Sequence, residues 1–450
     1  MNLKIACNNT EVRPETEALL RRVFSPLCGL STMIGFVLNS GGGARFMIAG
    51  GEMTNLRILR EATRARRGSY HIGGSGVFRD EPLIKCLGET VERYSQVVAE
   101  VSKGPEILLQ SYDRLPTDSA KRLDLAAFNF FNEEQLSRPG FPFASFDQSG
   151  MFGWMKIRSV LDNTDTWVPA QLLLVGYALK RHAGEKWISS AMSTGTAAHT
   201  NPRLALRSAL LELIQIDSVM GHWYGNGKAT RIKLDGRTQA IASLVERQFA
   251  RTSVSPEFYW IQNADLPGFT IVCLIRSHPG SIPAVANGIG IDLHIVDAMY
   301  KALLEAVGVF QLAKLSLVNR VTDVPSDRIN PDSIYNLDDN VCWYAFPENL
   351  AAVERKFRRD HPLPSTELPA DAARDPKQDI DYLVASFAST GKQLFQMDLT
   401  AIDVQQLGFT SIRVWSPDTL SLCLPSAPQV RHRRFAAYGG FQNETPHPYP

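Results

Sequence analysis

Four glutamates in apolar helical segments are the residues of this sequence whose type and spacing point to chemistry. Glu89 and Glu92 lie three residues apart, which places both carboxylates on one face of a helix. Glu212 interrupts a second apolar stripe, and Glu305 stands in a third. A carboxylate beside a buried stripe costs free energy unless it is paired or binds a cation. Two adjacent carboxylates are what a hard divalent cation needs.

Each of these glutamates also has a simpler interpretation. Arg93 lies one turn beyond Glu89, so this pair alone is typical of a solvated helix face with an internal ion pair. Glu212 alone fits a helix-edge glutamate in a salt bridge. Lys301 precedes Glu305 by four residues, which is the weaker order for a surface pair. Both interpretations stay open for each glutamate taken singly.

Three similar segments position these carboxylates. Each has a small-residue turn that contains glycine, reading HIGGSG, STGTAA or ANGIG, and continues as an apolar-periodic helix. Asp80 with Pro82 opens the first helix and Asn201 with Pro202 opens the second, as N-cap and first-turn residues do. The recurrence of strand-like turn, glycine, helix and inward carboxylate is the strongest signal from the residues alone.

The rest of the sequence alternates between helix and strand patterns. Three glycines at 41–43 favour a hairpin turn, because no lysine–serine pair follows them as in a phosphate-binding loop. The stretch 346–380 is charged and proline-bearing, and predicts a helix followed by an exposed connection. Further helices are predicted over 15–24, 238–251, 379–390 and 401–407, and strands over 154–160, 167–169, 258–262, 269–277, 393–400 and 410–417.

The composition limits the classes of function that are expected for the protein. The 450 residues, 44% hydrophobic and 21% charged, predict one large fold or two to three closely packed domains. A net charge of +1 argues against a nucleic-acid binder and gives no polybasic membrane signal. No apolar run of about 18 residues and no signal peptide is found. Scattered cysteines without a CxxC pair favour reduced thiols in the cytoplasm: Cys7, Cys28, Cys86, Cys273, Cys342 and Cys423.

Prolines occupy alternate positions at the end of the sequence, as Pro446, Pro448 and Pro450. This pattern fixes an extended backbone with few hydrogen-bond donors. Termini are usually disordered, so a frayed tail is one interpretation. A docked segment is the other.

Five motifs together resemble the YcaO family in order and spacing. They are GGSG…LGETVERYS, STGTAAHTNPRLALRSALLELIQIDSVMGHW, GIGIDLHIVDAMYKALLEA, QMDLT…DVQQLGFTSIRVWSP and the terminal PHPYP. The resemblance covers about residues 70 to 450, and the ending is similar to that of azoline-forming members of the D-protein type. It implies an α/β (α+β) fold of mixed sheets with packed helices. Residues 1–70 would form a segment integrated with the core, and 71–450 the cyclodehydratase domain with its PxPxP tail.

The resemblance also implies an ATP site without a phosphate-binding loop, in which carboxylates hold Mg2+ ions that carry the phosphates. The absence of GxxxxGK[ST] from the sequence agrees with this. Its implied metal ligands are Glu89, Glu92, Glu212 and Glu305. Its implied cofactor-binding residues are these four with Ser75, Arg93, Gln215 and Lys301. The implied catalytic segment is the docked tail with Pro446, Pro448 and Pro450, which places the Pro450 carboxylate near the active site.

The sequence departs from the family pattern at five positions. His199 and Thr200 stand where the family often has Gly-Asn, and Leu204 stands where it has a glutamate. Ile216 and Lys301 replace arginines, and Lys301 keeps the charge without the planar fork. These departures motivate an alternative, a non-catalytic or impaired scaffold that binds nucleotide and peptide. Thioamide or amidine formation is a further alternative, against which the PHPYP ending argues.

The implied activity is that of an ATP-dependent cyclodehydratase. A Cys, Ser or Thr side chain of a ribosomal precursor peptide attacks the preceding carbonyl, the oxygen is phosphorylated, and phosphate loss leaves a thiazoline or oxazoline. Only about 70 residues precede the motifs, too few for a fused leader-binding module, so a separate E1-like, leader-binding partner is expected. A flavin dehydrogenase is expected in the same oligomeric complex, in the cytoplasm, without nucleic acid or membrane.

Overall fold

The computed structural model describes residues 12–27, 29–37, 43–53, 71–323, 329–372 and 375–449. The helices are α1 Pro14–Val23, α2 Asp80–Lys103, α3 Glu133–Ser137, α4 Ala170–Leu173, α5 Pro202–Tyr224, α6 Gln239–Gln248, α7 Ile295–Asp323, α8 Leu337–Ala345, α9 Ala351–Lys356, α10 Pro376–Ser389 and α11 Ile402–Gln406. The strands are β1 Ser31–Val37, β2 Met47–Met53, β3 His71–Gly76, β4 Leu108–Ser111, β5 Lys121–Arg122, β6 Met151–Ser159, β7 Asp165–Pro169, β8 Thr196–His199, β9 Ala229–Lys233, β10 Val254–Ile261, β11 Phe269–Ser277, β12 Val285–Asp292, β13 Leu363–Pro364, β14 Phe395–Asp398 and β15 Thr410–Trp415.

The described strands form sheets of three, five and seven strands. The small sheet has the order β1-β2-β3, and the middle one β12-β11-β10-β9-β13. The largest follows β5-β7-β6-β14-β15-β8, with β4 paired to β6. Most pairs are antiparallel, while β5-β7 and β13-β9 are parallel. Helices pack on these mixed sheets, so the predicted α/β fold class is confirmed.

Three strand–helix units organise the molecule. Strand β3 leads into α2, β8 leads into α5, and β12 leads into α7. Each helix packs on the strand that precedes it. The recurrence of turn, glycine and helix read from the sequence is therefore confirmed as three structural units.

Glycine permits the close packing within two of these units. A Cβ built on Gly74 of β3 would lie 2.2 Å from the Pro82 carbonyl oxygen of α2. A Cβ built on Gly288 of β12 would lie 2.0 Å from the Ala306 amide nitrogen of α7. Both obstacles are backbone atoms, which cannot rotate away. The two glycines thus set how closely α2 and α7 approach their strands.

The two predicted helix starts differ in outcome. At α2 the predicted cap is wrong, because Asp80 is the first helical residue and its carboxylate accepts hydrogen bonds from Arg13 instead of capping the helix amides. At α5 the prediction is confirmed. The Asn201 side chain accepts a hydrogen bond from the Arg203 amide, and Pro202 is the first residue of α5. Helix α10 begins at Pro376, three residues earlier than predicted, because Asp375 caps the amides of Lys377 and Gln378. The other predicted elements are present with ends shifted by a few residues.

The predicted exposed connection within 346–380 is wrong in part. After α9, strand β13 pairs with β9, and Ser365 is fully buried. The Arg237 guanidinium donates to the carbonyls of Ser365 and Leu368 at 2.9 and 3.1 Å. A distant arginine holds this charged stretch in place, and local composition could not reveal that.

The N-terminal elements α1 and β2 pack against the β3–α2 unit. Strand β2 pairs with β3, and Val23 of α1 joins an apolar cluster with Leu87 of α2. The predicted turn at 41–43 falls largely on residues 38–42, outside the described residues. The division at residue 70 stays a prediction.

Two further observations concern the cysteines and the hydropathy of the helices. Cys86, Cys273, Cys342 and Cys423 are free and buried, as expected, while positions 7 and 28 lie outside the described residues. In the described ranges, no helix combines the length and the apolar character that crossing a bilayer requires.

Candidate active site

Helix α2 presents two glutamates and an arginine near β3. The Glu89 carboxylate accepts hydrogen bonds from the Gly73 amide at 2.7 Å and from Arg93 Nε at 2.8 Å. Glu92 accepts one from Gln96 Nε2 at 3.2 Å. The ion pair of the simpler interpretation is therefore present. However, Glu89 and Glu92 are both partly buried, so this is not a solvated helix face.

Helix α5 carries two carboxylates with opposite surroundings. Asp217 is fully buried and accepts hydrogen bonds from Arg434 Nη2 at 2.6 Å and from the Tyr438 hydroxyl at 2.9 Å. Glu212 is partly buried and has no hydrogen-bond partner among the described residues. Asp217 is thus satisfied by the protein, whereas the Glu212 oxygens remain available to a ligand.

Helix α7 contributes Glu305 beside β12 and β3. The backbone amide of Ile289 on β12 donates a hydrogen bond to the Glu305 carboxylate. One turn further along α7, a Cβ built on Gly308 would lie 3.0 Å from Ser75 Oγ. Ser75 is buried in β3, and its carbonyl accepts a hydrogen bond from Lys85 Nζ at 3.2 Å. The structure therefore places Ser75 close to the α7 turn that follows Glu305.

The four carboxylates interact electrostatically. Burial raises the pKa of Glu92 to about 8, and Glu89 adds to the rise. Burial also raises the pKa of Glu305 to about 8, again with a contribution from Glu89. The pKa of Glu212 is raised well above its usual value by burial, with Glu92 and Glu305 adding to it. Glutamates from three helices therefore influence one another's pKa across the site.

Two arginines offset this negative charge. Glu89 raises the pKa of Arg93, and Glu92 and Glu212 act in the same direction. Burial lowers the pKa of Arg413 on β15 to about 10, and Glu212 opposes that shift. Arg413 is not among the residues predicted from the sequence. Its signal was an arginine at the centre of the apolar strand pattern TSIRVWSP.

The carboxylates fit Mg2+ by their chemistry. Mg2+ is bound in proteins by oxygen ligands. A cation also stabilises the charged form of partly buried carboxylates that raise one another's pKa. Within the described residues, no three Asp, Glu, His or Cys side chains are grouped closely enough to hold a metal ion. Glu89, whose oxygens bond Gly73 and Arg93, would therefore exchange partners when a metal binds.

Two other predicted cofactor contacts have different surroundings. Gln215 is buried on α5, one turn after Glu212. Lys301 Nζ bonds the Asp292 carboxylate at 2.6 Å, and Asp292 also binds Arg207. Lys301 therefore belongs to a neighbouring charge cluster, with 48% of its side chain exposed. Cofactor binding by Gln215 and Lys301 stays a prediction.

Two of the positions that depart from the family pattern, His199 and Ile216, have structural roles here. His199 Nδ1 accepts a hydrogen bond from the Asn201 amide at 2.8 Å, just before α5. Ile216 is 6% exposed and packs in an apolar cluster with Val219 and Tyr259. Leu204 is partly buried on the first turn of α5. The Ile216 side chain has no polar atom, so it cannot make the nucleotide contact that an arginine could make at this position.

The terminal segment is docked as far as residue 449. The Pro446 carbonyl accepts a hydrogen bond from the Tyr344 hydroxyl, and the Pro448 carbonyl accepts one from Asn287 Nδ2 at 2.6 Å. Tyr449 is fully buried. The frayed interpretation therefore does not hold for these residues.

Strand β12 connects this tail to the glutamates. Asn287, which holds the Pro448 carbonyl, lies two residues before Ile289, whose amide contacts Glu305. Two residues of strand span about 7 Å. Pro450 itself lies outside the described residues. The catalytic roles predicted for Pro446, Pro448 and Pro450 stay predictions.

Solved structures share this fold. A heterocyclase in complex with substrate and cofactor matches with a TM-score of 0.71 and 19% identity over 96% of this chain and 57% of its own. YcaO from Methanopyrus kandleri, bound with AMPPCP and Mg2+, matches with a TM-score of 0.59 and 15% identity over 96% and 93%. The E. coli microcin synthetase McbBCD complex with pro-MccB17 bound matches with a TM-score of 0.62 and 12% identity over 95% and 99%.

Identities this low show the fold alone. The chain spans 57% of the length of the first of these heterocyclases and 55% of the heterocyclase TruD. No curated protein matches the sequence. A family model described as YcaO cyclodehydratase, binding ATP and Mg2+, matches residues 73–420. Because this match spans more than half of the 450 residues, the chain belongs to the YcaO family, whose cofactors are ATP and Mg2+.

Proposed function

We propose that this chain is an ATP-dependent cyclodehydratase that forms azoline rings in a ribosomally made precursor peptide. The observation that carries the proposal is the mutual electrostatic influence of Glu89, Glu92, Glu212 and Glu305, from three helices, and of these glutamates on two arginines. Membership of the YcaO family supports it, and so does the fold shared with heterocyclases.

In this proposal each part of the site has a distinct task. The chemistry that bound Mg-ATP supplies is phosphoryl transfer to a peptide amide oxygen, which makes that oxygen a good leaving group. The glutamates bind the metal ions, and Glu92, Glu212 and Glu305 release protons as they do so, because their pKa values are raised. Arg93 and Arg413 offset excess negative charge. The tail, held by Asn287, orders the substrate or accepts the nucleophile's proton.

Ring formation in the assembled complex tests the proposal. The chain is combined with a leader-binding partner, Mg-ATP and a Cys-rich precursor peptide, and the peptide is followed by mass spectrometry. We expect the loss of one water mass per ring, together with phosphate release. An unchanged mass despite verified leader binding would contradict the proposal. A gain of sulfur in place of oxygen would favour thioamide formation instead.

Glu212→Gln isolates the role of the cluster. The substitution keeps the side-chain shape but removes the charge that a metal ion requires. We expect ATP turnover in the complex to fall by roughly 100-fold. Glu246→Gln on α6 is the matched control, since this exposed glutamate lies outside the cluster and should leave turnover unchanged. Equal turnover in both variants would refute the metal assignment.

The partners follow from the proposed reaction. The chain would act in an oligomeric complex with the precursor peptide, an E1-like leader-binding protein and a flavin dehydrogenase that oxidises the rings. The complexes among the fold relatives support partner proteins in general, without identifying them here. Free, buried cysteines agree with a cytoplasmic location.

A nucleotide-binding scaffold is the second candidate function. The observation that favours it is the commitment of Glu89 to Gly73 and Arg93, together with the core position of Ile216. A scaffold would bind Mg-ATP and join the complex without releasing phosphate. Absent phosphate release with every partner supplied, beside intact complex formation, would select this function.

A further inference from the structure

One face of the β8–β15 pair carries three buried polar side chains. Thr196 lies directly opposite Arg413 in the antiparallel register, so both side chains point to the same face. Ser411 shares that face, because it precedes Arg413 by two residues and lies opposite Ala198. Ala198 packs in the apolar cluster that contains Leu87 of α2. The three polar groups therefore lie on the side of the sheet toward α2.

These three side chains offer polar atoms that no described residue uses. Thr196 and Ser411 are fully buried, and Arg413 is 2% exposed. Thr196 Oγ1, Ser411 Oγ, and Arg413 Nε and Nη1 have no hydrogen-bond partner in the described part of the chain. Burying a donor without an acceptor is costly, and burying a charge is costlier. A bound group that accepts hydrogen bonds would remove this cost.

The surroundings of Arg413 favour an anionic occupant. Glu212 is the carboxylate that acts on the Arg413 guanidinium, yet the two side chains form no ion pair among the described residues. Arg434, another buried arginine, is by contrast saturated by Asp217 and Asp265. A group bound at Arg413 must accept its hydrogen bonds and tolerate the negative charge of Glu212. A phosphate accompanied by a divalent cation has both properties.

We propose that Arg413, Thr196 and Ser411 form a phosphate-binding site on the side of the β8–β15 pair that faces α2. This inference rests on the proposed function, because it gives the ATP-using site a protein-borne phosphate ligand that the carboxylates cannot supply. A guanidinium and two hydroxyls can all donate to the oxygens of one tetrahedral phosphate. The phosphate is either the terminal group of a nucleotide or the inorganic phosphate released from it.

Arg413→Met tests the site in the purified full-length chain. The substitution removes a buried, unpartnered charge, so the unfolding temperature without ligand should stay unchanged or rise. Affinities for Mg-ATP, for inorganic phosphate with Mg2+, and for adenosine are measured by calorimetry. We expect Arg413→Met to bind phosphate and Mg-ATP at least tenfold more weakly than the wild type does, and to bind adenosine with unchanged affinity. A loss of affinity for Mg-ATP alone would identify the nucleotide as the source of the bound phosphate.

Arg276→Met is the matched control. Arg276 is also buried but bonds Glu257 and Glu354, so its loss should lower the unfolding temperature and leave Mg-ATP affinity unchanged. If Arg413→Met behaves in the same way, Arg413 is structural and the inference is overturned. Thr196→Val, which removes one hydroxyl at constant shape, serves if Arg413→Met does not fold. A severalfold loss of phosphate affinity in that variant supports the site, and no loss overturns it.

The test separates this inference from the proposed function. Phosphate binding that depends on Arg413, in a complex that forms no rings, would support the site and contradict the cyclodehydratase. Ring formation, together with unchanged phosphate and Mg-ATP affinities in Arg413→Met, would support the cyclodehydratase and contradict the phosphate site. A wild-type chain that binds neither phosphate nor Mg-ATP would overturn both.

Discussion

At the scale of single residues, Glu305 shows how the site depends on pH. Burial raises the pKa of its folded-state carboxyl from 4.5 to about 8. Between these values the folded chain holds a proton that the unfolded chain has released. The contribution to stability is therefore fully present below about pH 4.5 and is lost as the pH rises to about 8. If Glu305 binds a metal ion as proposed, the metal displaces the same proton, and its binding should strengthen over that interval.

Glu305→Gln is predicted to remove this pH dependence in part. At pH 8 the ligand-free variant should be more stable than the wild type by about 1–3 kcal/mol, because a partly buried charge is replaced by a neutral amide. Its Mg2+ affinity should be weaker and should rise less between pH 6 and 8. Thermal unfolding and Mg2+ titration at several pH values measure both effects. A variant that is less stable than wild type at pH 8 would contradict the prediction.

The sequence could reveal the glutamates but not their full environment. Helical spacing identified Glu89 and Glu92 as a pair, and an apolar stripe singled out Glu212. Arg413 was missed, because one arginine in a strand carries no information about which helix packs over it. Asp217 lies on the same apolar helix as Glu212, yet the structure gives it Arg434 as a partner. Only three-dimensional packing separates the structural carboxylate from the available one.

At the scale of elements, the three strand–helix units could be predicted because their signals are local. Caps, glycine turns and apolar periodicity lie within about 30 residues of one another in each unit. Element ends were less accurate where a capping residue such as Asp375 was overlooked. The pairing of β8 with β15 joins residues about 200 positions apart, and no local pattern specifies it.

Gly288→Ala is predicted to separate α7 from β12. The new methyl group would lie 2.0 Å from the Ala306 amide nitrogen and 2.4 Å from the Ala302 carbonyl oxygen, so the helix must move. We expect a loss of about 3 kcal/mol in the free energy of unfolding and weaker Mg-ATP binding, since Glu305 moves with α7. Denaturant unfolding and calorimetry measure the two effects.

Gly88→Ala provides the comparison for that variant. Gly88 is within α2, and nothing lies within 4 Å of a Cβ built on it. Alanine should stabilise the helix by about 1 kcal/mol. If Gly288→Ala proved as stable as Gly88→Ala, the close approach of β12 and α7 would not be the reason for glycine at position 288.

At the scale of the whole molecule, the tail joins elements that are remote in sequence. Trp223 at the end of α5 donates to the Thr445 carbonyl, Asn287 of β12 holds Pro448, and Asn340 of α8 holds the Tyr449 carbonyl. Alternating prolines predicted an extended segment, but not its destination. The tail accepts these hydrogen bonds through its backbone carbonyls, which every residue has. The residue types of the tail therefore cannot predict which side chains will hold it.

Tyr449→Phe sets the reference for testing the tail. The Tyr449 hydroxyl is buried without a hydrogen-bond partner in the described part of the chain. Its removal should leave stability unchanged or slightly higher, because no bond is lost and one desolvated group disappears. Ring formation should continue in this variant.

Deletion of residues 446–450 is predicted to separate binding from catalysis. The deletion empties the space of a fully buried Tyr449 and leaves Asn287 and Asn340 without acceptors, so we expect a stability loss of about 3–5 kcal/mol. The glutamates and arginines remain, so Mg-ATP should still bind to chain that stays folded. Ring formation should fall by roughly 100-fold or more, because the segment that orders the reacting groups is gone.

Deletion of Pro450 alone removes no described contact, and lost ring formation at unchanged stability would assign the effect to the terminal group. Normal ring formation in both deletions would refute the catalytic role of the tail.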